Sequence, residues 1–242
     1  MGATVCAAVA ADEQLELVAG VDPHRVGYEV EGITVAADPS ALLDAGAEVV
    51  VDFTVLGAAR ENVRWAAEHG VHAVVGTTGF SAADLDDFAV AFNRSACVIA
   101  PNFAIGAILA IRFAEMAAPF FETAEIIELH HDAKKDAPSG TAMHTAERMA
   151  AASGTWAVDP TEIEVLPGAR GGAGPAGIRV HAVRMHGMVA HEEIILGTAG
   201  QTLTIRHDSY DRTSFMPGVL LAVKKVVGRS GLTVGLDDLL EL

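Results

Sequence analysis

The sequence predicts an α/β fold: a doubly wound parallel sheet followed by an α+β second domain with a mixed or antiparallel sheet. Three observations carry this. Short apolar runs at 49–53 and 72–75 alternate with helical stretches, as strands do with crossover helices. The runs are continuous, as in strands covered on both faces. After residue 103 the alternation gives way to a long helix and then several β-like segments.

In order, residues 3–11 suit a short helix, and 15–21 (L-E-L-V-A-G-V) a strand ending at Asp22. Residues 49–53 form a strand buried on both faces and 57–69 a helix; 72–75 is a second buried strand, stopping at Gly76-Thr77-Thr78-Gly79. Ser81 caps a helix to about Asn93, and a strand at 97–100 is closed by Pro101-Asn102. Beyond it come a long helix at 105–121, a strand at 124–129 and a helix at 139–151. Strands at 178–185, 189–196 and 202–207 read as an antiparallel meander, and the glycine-rich 170–177 as a mobile loop. A helix at 213–227 returns the chain to the first domain. The expected division is 1–103 (with 214–242) and 104–213.

A chain of 242 residues, 51% hydrophobic and 20% charged, can bury a substantial core. No apolar run approaches the roughly 18 residues of a membrane span, and the start has no basic residue before Asp12, against a secretory signal. Cys6 and Cys97, far apart, suggest a reducing cytoplasm rather than a disulfide framework. The net charge of -16 argues against nucleic acid and anionic membranes as partners. Residues 1–103 hold 4 Lys+Arg against 15 Asp+Glu, and 104–213 hold 9 against 14, so the middle region supplies most cations for an anionic ligand.

The chemistry concentrates at 128–142, E-L-H-H-D-A-K-K-D-A-P-S-G-T-A. In an extended strand His130 and His131 point to opposite sides, so one can exchange a proton while the other grips a ligand. Lys134 lies in the following loop, within reach of either. Pro138 keeps the approach extended, Ser139 is an N-cap, and Gly140-Thr141 begin a helix whose free N–H groups suit a carboxylate or phosphate. The plainer reading is a solvated polar loop and an ordinary cap. A metal site is disfavoured: no Cys or H-x-x-x-H spacing accompanies the histidines, and Lys134 and Lys135 would repel a cation.

In the first domain Gly76-Thr77-Thr78-Gly79-Phe80 and Ala100-Pro101-Asn102-Phe103 follow successive buried strands. Ligands of open parallel sheets sit at such carboxyl ends. Each segment alone is a routine turn; together they outline a crevice. Asp22, at a strand end, suits an adenosine ribose, and Arg25 a 2′-phosphate, although a lone Asp there is commonly only a turn residue.

These residues together resemble the dihydrodipicolinate reductase family over nearly the whole chain. The resemblance rests on V-D-F-T at 51–54, V-V-G-T-T-G-F at 74–80, I-A-P-N-F-A-I-G at 99–106 and the E-L-H-H-x-x-K-x-D-A-P-S-G-T-A pattern. H-A-V-R-M-H-G-M-V-A-H-E-E at 181–193 and L-T-I-R-H-D-S at 203–209 add to it. It implies a Rossmann-like dinucleotide-binding domain and a substrate domain that assembles a homotetramer. It also implies hydride transfer from NADPH or NADH to a cyclic imine dicarboxylate. His130 would be the general acid/base and Lys134 the proton donor, with His131, Gly140 and Thr141 binding the dicarboxylate. Gly76, Thr77 and Thr78 with Ala100, Pro101, Asn102 and Phe103 would line the cofactor, and Asp22 would take its ribose.

One departure stands out. The family begins with a strand and a G-x-x-G-x-M-G loop, of which Met1-Gly2 resembles only the end. A sheet without that strand leaves two rows of backbone groups unpaired. Each buried one costs about 1–3 kcal/mol against total stabilities of about 5–15 kcal/mol. The expectation is that Met1 is internal and the native product starts about a dozen residues earlier, enough for a strand. The rival reading is a truncated, non-catalytic paralogue that keeps the dicarboxylate pocket and binds no cofactor.

Overall fold

A computed structural model describes residues 1–241. The chain opens with helix α1 (Gly2–Ala10), which turns Val5 and Val9 inward. Residues 15–21, expected as a strand, form none: only Val21 is bridged, in parallel, to Ala36. Their alternation marks a possible inner face, but a strand exists only where a neighbour supplies its hydrogen bonds. The hairpin of β1 (Glu29–Val30) and β2 (Ile33–Thr34) and the short helix α2 (Ser40–Asp44) lead into the sheet.

There the expected alternation appears: β3 (Val49–Asp52), α3 (Leu56–His69), β4 (His72–Val75), α4 (Ala82–Ala91) and β5 (Ala96–Ile99). Gly70 ends α3 in the left-handed conformation (φ 71°), which a glycine adopts without penalty. Ser81 and Asp84 form a reciprocal capping box at the start of α4. Val63, Ala66, Val75, Phe88, Phe92 and Cys97 belong to the core between these helices and strands.

From residue 105 the character changes. Helix α5 (Ile105–Ala117) runs into a 3-10 turn at Ala118–Phe120, followed by β6 (Thr123–His130) and α6 (Gly140–Ala152). Then come β7 (Gly172–Ala173), β8 (Arg179–Arg184), β9 (Ala190–Thr198) and β10 (Gln201–Ser209), in a sheet of order β10-β9-β6-β8-β7. The expected antiparallel meander is therefore corrected to a mixed sheet. Strand β6 pairs antiparallel with β9 and parallel with β8, because the connection through α6 is a crossover rather than a hairpin. Of the three strands expected in the meander, only β9 and β10 pair as a hairpin. The loop at 170–177, expected to be mobile, is anchored at its start: Arg170 pairs with Glu125 at 2.7 Å and Asp159 at 3.3 Å, and β7 lies within it. Ile126, Val180, Ile194 and Leu196 pack against Ala114, Ala142, Ala146 and Met149 of the helices.

The chain finishes with α7 (Met216–Val226), β11 (Gly231–Val234) and α8 (Asp237–Leu240). Helix α7 packs on β4 and β5, and β11 extends a parallel sheet of order β11-β5-β4-β3. Two units result, Met1–Ala104 with the segment from Arg212 onward, and Ile105–Asp211. Among the described residues β3 is an edge strand. Val49, Val50 and Val51 are accordingly only half-buried, not covered on both faces as expected.

Candidate active site

In the second unit the alternation of β6 puts Ala124, Ile126 and Glu128 on its inner face, and His130 continues that row. Glu128 is fully buried, and three donors and one ring nitrogen of His130 meet its carboxylate. Oε1 accepts from Arg184 Nη2 (2.8 Å) and from the backbone N–H of Ser139 (3.0 Å). Oε2 accepts from Arg184 Nη1 (2.7 Å) and lies 2.6 Å from His130 Nδ1. Burial alone would raise its pKa; the bonds from Arg184 and His130 outweigh this and hold it below the usual carboxylate value. His130 is pushed the other way. Burial first, then the charges of Lys134 and Arg184, favour its neutral form against the pull of Glu128.

Glu128 thus ties His130 to the start of α6. There Ser139 caps the helix, its Oγ accepting from Ala142 N at 3.1 Å, which leaves the N–H groups of Gly140 and Thr141 without an acceptor among the described residues. Nothing lies within 4 Å of where a Cβ on Gly140 would sit, so a ligand can approach the backbone there. The Ala137–Pro138 peptide just before the cap is cis. Lys134 is mostly covered and bonds both carboxylate oxygens of Asp136, at 2.9 and 2.8 Å. His131 lies one residue beyond β6 and is exposed. It faces solvent rather than the opposite side of a strand.

In the first unit a buried carboxylate again organises the site. Asp52, closing β3, accepts from Thr54 N (3.0 Å), Thr54 Oγ1 (2.9 Å), Thr77 Oγ1 (2.9 Å) and Asn62 Nδ2 (2.7 Å). The Thr77 side chain is thereby fixed just past β4. At Gly76 a Cβ would come within 2.1 Å of the Phe53 ring, so only glycine lets that ring approach the backbone this closely. Phe53 in turn meets Phe103 at 5.5 Å between centroids. Thr78 and Pro101 are exposed, Ala100 is buried, and Asn102 Oδ1 accepts from Ala104 N, while its amide donors meet no acceptor among the described residues. Asp22 accepts from His24 N with one oxygen at 2.9 Å, and its other oxygen meets no donor among the described residues. Aromatic rings and donors at the carboxyl ends of parallel strands, with the Asp22 carboxylate beside the single parallel bridge at Val21, fit a nicotinamide dinucleotide.

Sequence reasoning passed over Glu128, Arg184 and Asp52 as site-forming groups. Asp52 had a readable signal, an acid closing an otherwise apolar run. Arg184 had none, since it lies 56 residues from Glu128.

Comparison with known proteins agrees with this geometry. The family descriptions "Dihydrodipicolinate reductase, N-terminus" and "Dihydrodipicolinate reductase, C-terminus" match residues 1–103 and 106–240. A 4-hydroxy-tetrahydrodipicolinate reductase of Nocardia farcinica is 53% identical over 249 residues, covering 100% of this chain and 95% of its own. Its counterpart in Mycobacterium sp. (strain KMS) is 50% identical over 247 residues, with the same coverage. Among solved structures, the dipicolinate-bound dihydrodipicolinate reductase of Paenisporosarcina sp. TG-14 superposes with a TM-score of 0.87 at 36% identity, covering 97% of this chain and 93% of its own.

Proposed function

We infer the activity from one premise: the chain belongs to the dihydrodipicolinate reductase family, both halves of which it matches. It reduces 4-hydroxy-tetrahydrodipicolinate to tetrahydrodipicolinate with NADPH or NADH, a step of diaminopimelate and lysine biosynthesis. The observation that carries the site assignment is the Glu128 carboxylate, bonded at once to His130 and to the N–H of Ser139. It sets an acid/base ring beside a helix start with open donors.

Each turnover releases one water, adds one hydride to the conjugated ring and takes up one proton. When bound, the nicotinamide supplies the hydride. Gly76, Thr77 and Thr78 with Ala100, Pro101, Asn102 and Phe103 would hold it, and the open oxygen of Asp22 would accept from the ribose. A substrate carboxylate sits on the N–H groups of Gly140 and Thr141, where the helix start favours negative charge. His131 serves a second carboxylate from its exposed position. As hydride adds, negative charge develops on the ring, and the Lys134 ammonium stabilises it and donates the proton. For that Lys134 must leave Asp136, its resting partner. His130 moves protons through the nitrogen not engaged by Glu128.

As in the resemblance that first suggested it, we take the chain to assemble as a homotetramer. Its two free cysteines suit a reducing cytoplasm. The rival reading, a non-catalytic paralogue, loses ground because relatives about half identical along the full chain are named reductases and the acid/base cluster is intact.

Steady-state kinetics with both nucleotides tests the reading. His130→Ala and Lys134→Ala should each lower kcat by about 10²- to 10⁴-fold with unchanged circular dichroism. A near-wild-type rate in either variant removes that residue from the assignment, and absence of NADH and NADPH binding in calorimetry would favour the paralogue.

A further inference from the structure

The Glu128 carboxylate does more than neutralise Arg184. An ionised carboxylate only accepts hydrogen bonds, and guanidinium and backbone N–H groups only donate. The Arg184 guanidinium spans both oxygens and Ser139 N holds Oε1, and these charge-assisted bonds keep Glu128 ionised. Oε2 therefore has a single role toward Nδ1 of His130, 2.6 Å away: it accepts. In the neutral ring one nitrogen carries the hydrogen and the other the lone pair. A bond that demands the hydrogen on Nδ1 leaves the lone pair on Nε2.

We propose that Glu128 is the positioning residue of this site, holding His130 with its hydrogen on Nδ1 so that Nε2 is the nitrogen that exchanges a proton with the substrate. The second half rests on the acid/base reading of His130; the first stands on geometry alone. The same carboxylate binds Ser139 N at the helix start, so ring orientation and anion cradle are set by one group. The charged and titratable neighbours are few. They are Glu128 on the same strand, Arg184 on β8, Lys134 and Asp136 in the loop, and Glu192 on β9, the Cα partner of Glu128.

Two measurements on the full chain test this. In ¹⁵N-histidine-labelled wild-type protein, the ring signal that disappears in His130→Gln should show the hydrogen on Nδ1 by two-bond proton–nitrogen correlation. A ring protonated on Nε2 overturns the proposal whatever the kinetics, and this readout needs no well-folded Glu128 variant. In Glu128→Gln the amide can present N–H to Nδ1, so the ring should switch to the Nε2–H form. There kcat should fall about 10- to 100-fold, KM should stay within about twofold, and the acid limb of the pH profile should move to lower pH. Glu128→Asp, which keeps the charge, should retain the Nδ1–H form and recover part of kcat. An unswitched ring in Glu128→Gln also overturns the proposal. A switched ring with unchanged kcat instead overturns the acid/base reading of His130 and leaves the Glu128 bond standing.

Discussion

Glu192 stands directly across from Glu128 on the paired strands β9 and β6. Two buried carboxyl groups share one face of the sheet. One is saturated with donors; the other has an Oε1 with no hydrogen-bond partner among the described residues. Burial pushes Glu192 up to about 7; the hydroxyl of Thr145 pulls weakly against this and the charge of Glu128 adds to it. At neutral pH the pair therefore sits near the point of losing its second proton.

The first prediction follows from that proton. Glu192 ordinarily titrates at 4.5 and in the fold at about 7, so between these values the native state binds more protons than the unfolded one. Stability is then highest below about pH 4.5 as far as this group is concerned, and falls as pH rises through 7, by about 3 kcal/mol in all. Glu192→Gln removes the loss. Urea midpoints measured from pH 5 to 8 should fall less steeply in the variant; parallel curves would show that Glu192 is ionised throughout.

Arg184→Met should be far more damaging than a surface arginine change. It leaves the buried Glu128 charge with only His130 and one N–H, at a cost of about 3–5 kcal/mol. The double variant Glu128→Met/Arg184→Met should recover most of that stability in denaturant unfolding while its kcat stays depressed. A double variant no more stable than Arg184→Met would contradict this account.

Gly76→Ala drives a methyl group into the Phe53 ring, 2.1–2.6 Å from its atoms. Overpacking of this kind costs about 1–3 kcal/mol. The ring lies against Phe103, which would shift with it, so NADH and NADPH affinity should weaken as well. Phe53→Leu on the same background should restore both, measured by thermal unfolding and nucleotide titration.

Thr141→Val and Ser139→Ala separate binding from folding at the helix start. Ser139→Ala loses the cap and should cost about 1 kcal/mol of stability. Thr141→Val keeps the cap, and its effect should appear as a raised KM with kcat little changed. An unchanged KM would remove the Thr141 hydroxyl from the anion cradle, whose backbone N–H groups the variant keeps.

The parts legible in the sequence were local. Continuous apolar runs announced β3, β4 and β5, and Ser81 and Ser139 announced helix starts, because caps act over three residues. The groups proposed for proton transfer and anion binding stand out in the sequence for the same reason: His130, Lys134 and Gly140 lie within eleven residues. What was not legible depends on which strand lies beside which. Arg184 reaches Glu128 only because β8 runs parallel to β6, with Arg184 opposite His130, and Glu192 meets it only through the β9 register. Strand β11 went unread because its four residues resemble a loop until β5 is placed beside them. Residues 15–21 erred the other way, carrying the pattern of a strand without a ladder to join.

Strand β11 has a consequence for how the protein is made. It pairs with β5 across more than half the length of the chain, and the whole of the second unit is strung between them. A ribosome therefore releases β3, β4 and β5 long before α7 and β11 exist to cover and extend them. Likewise β6 emerges before either of its neighbours. The apolar face that α7 will cover must wait through the synthesis of Ile105–Asp211, and during that interval the nascent chain is most in need of a chaperone.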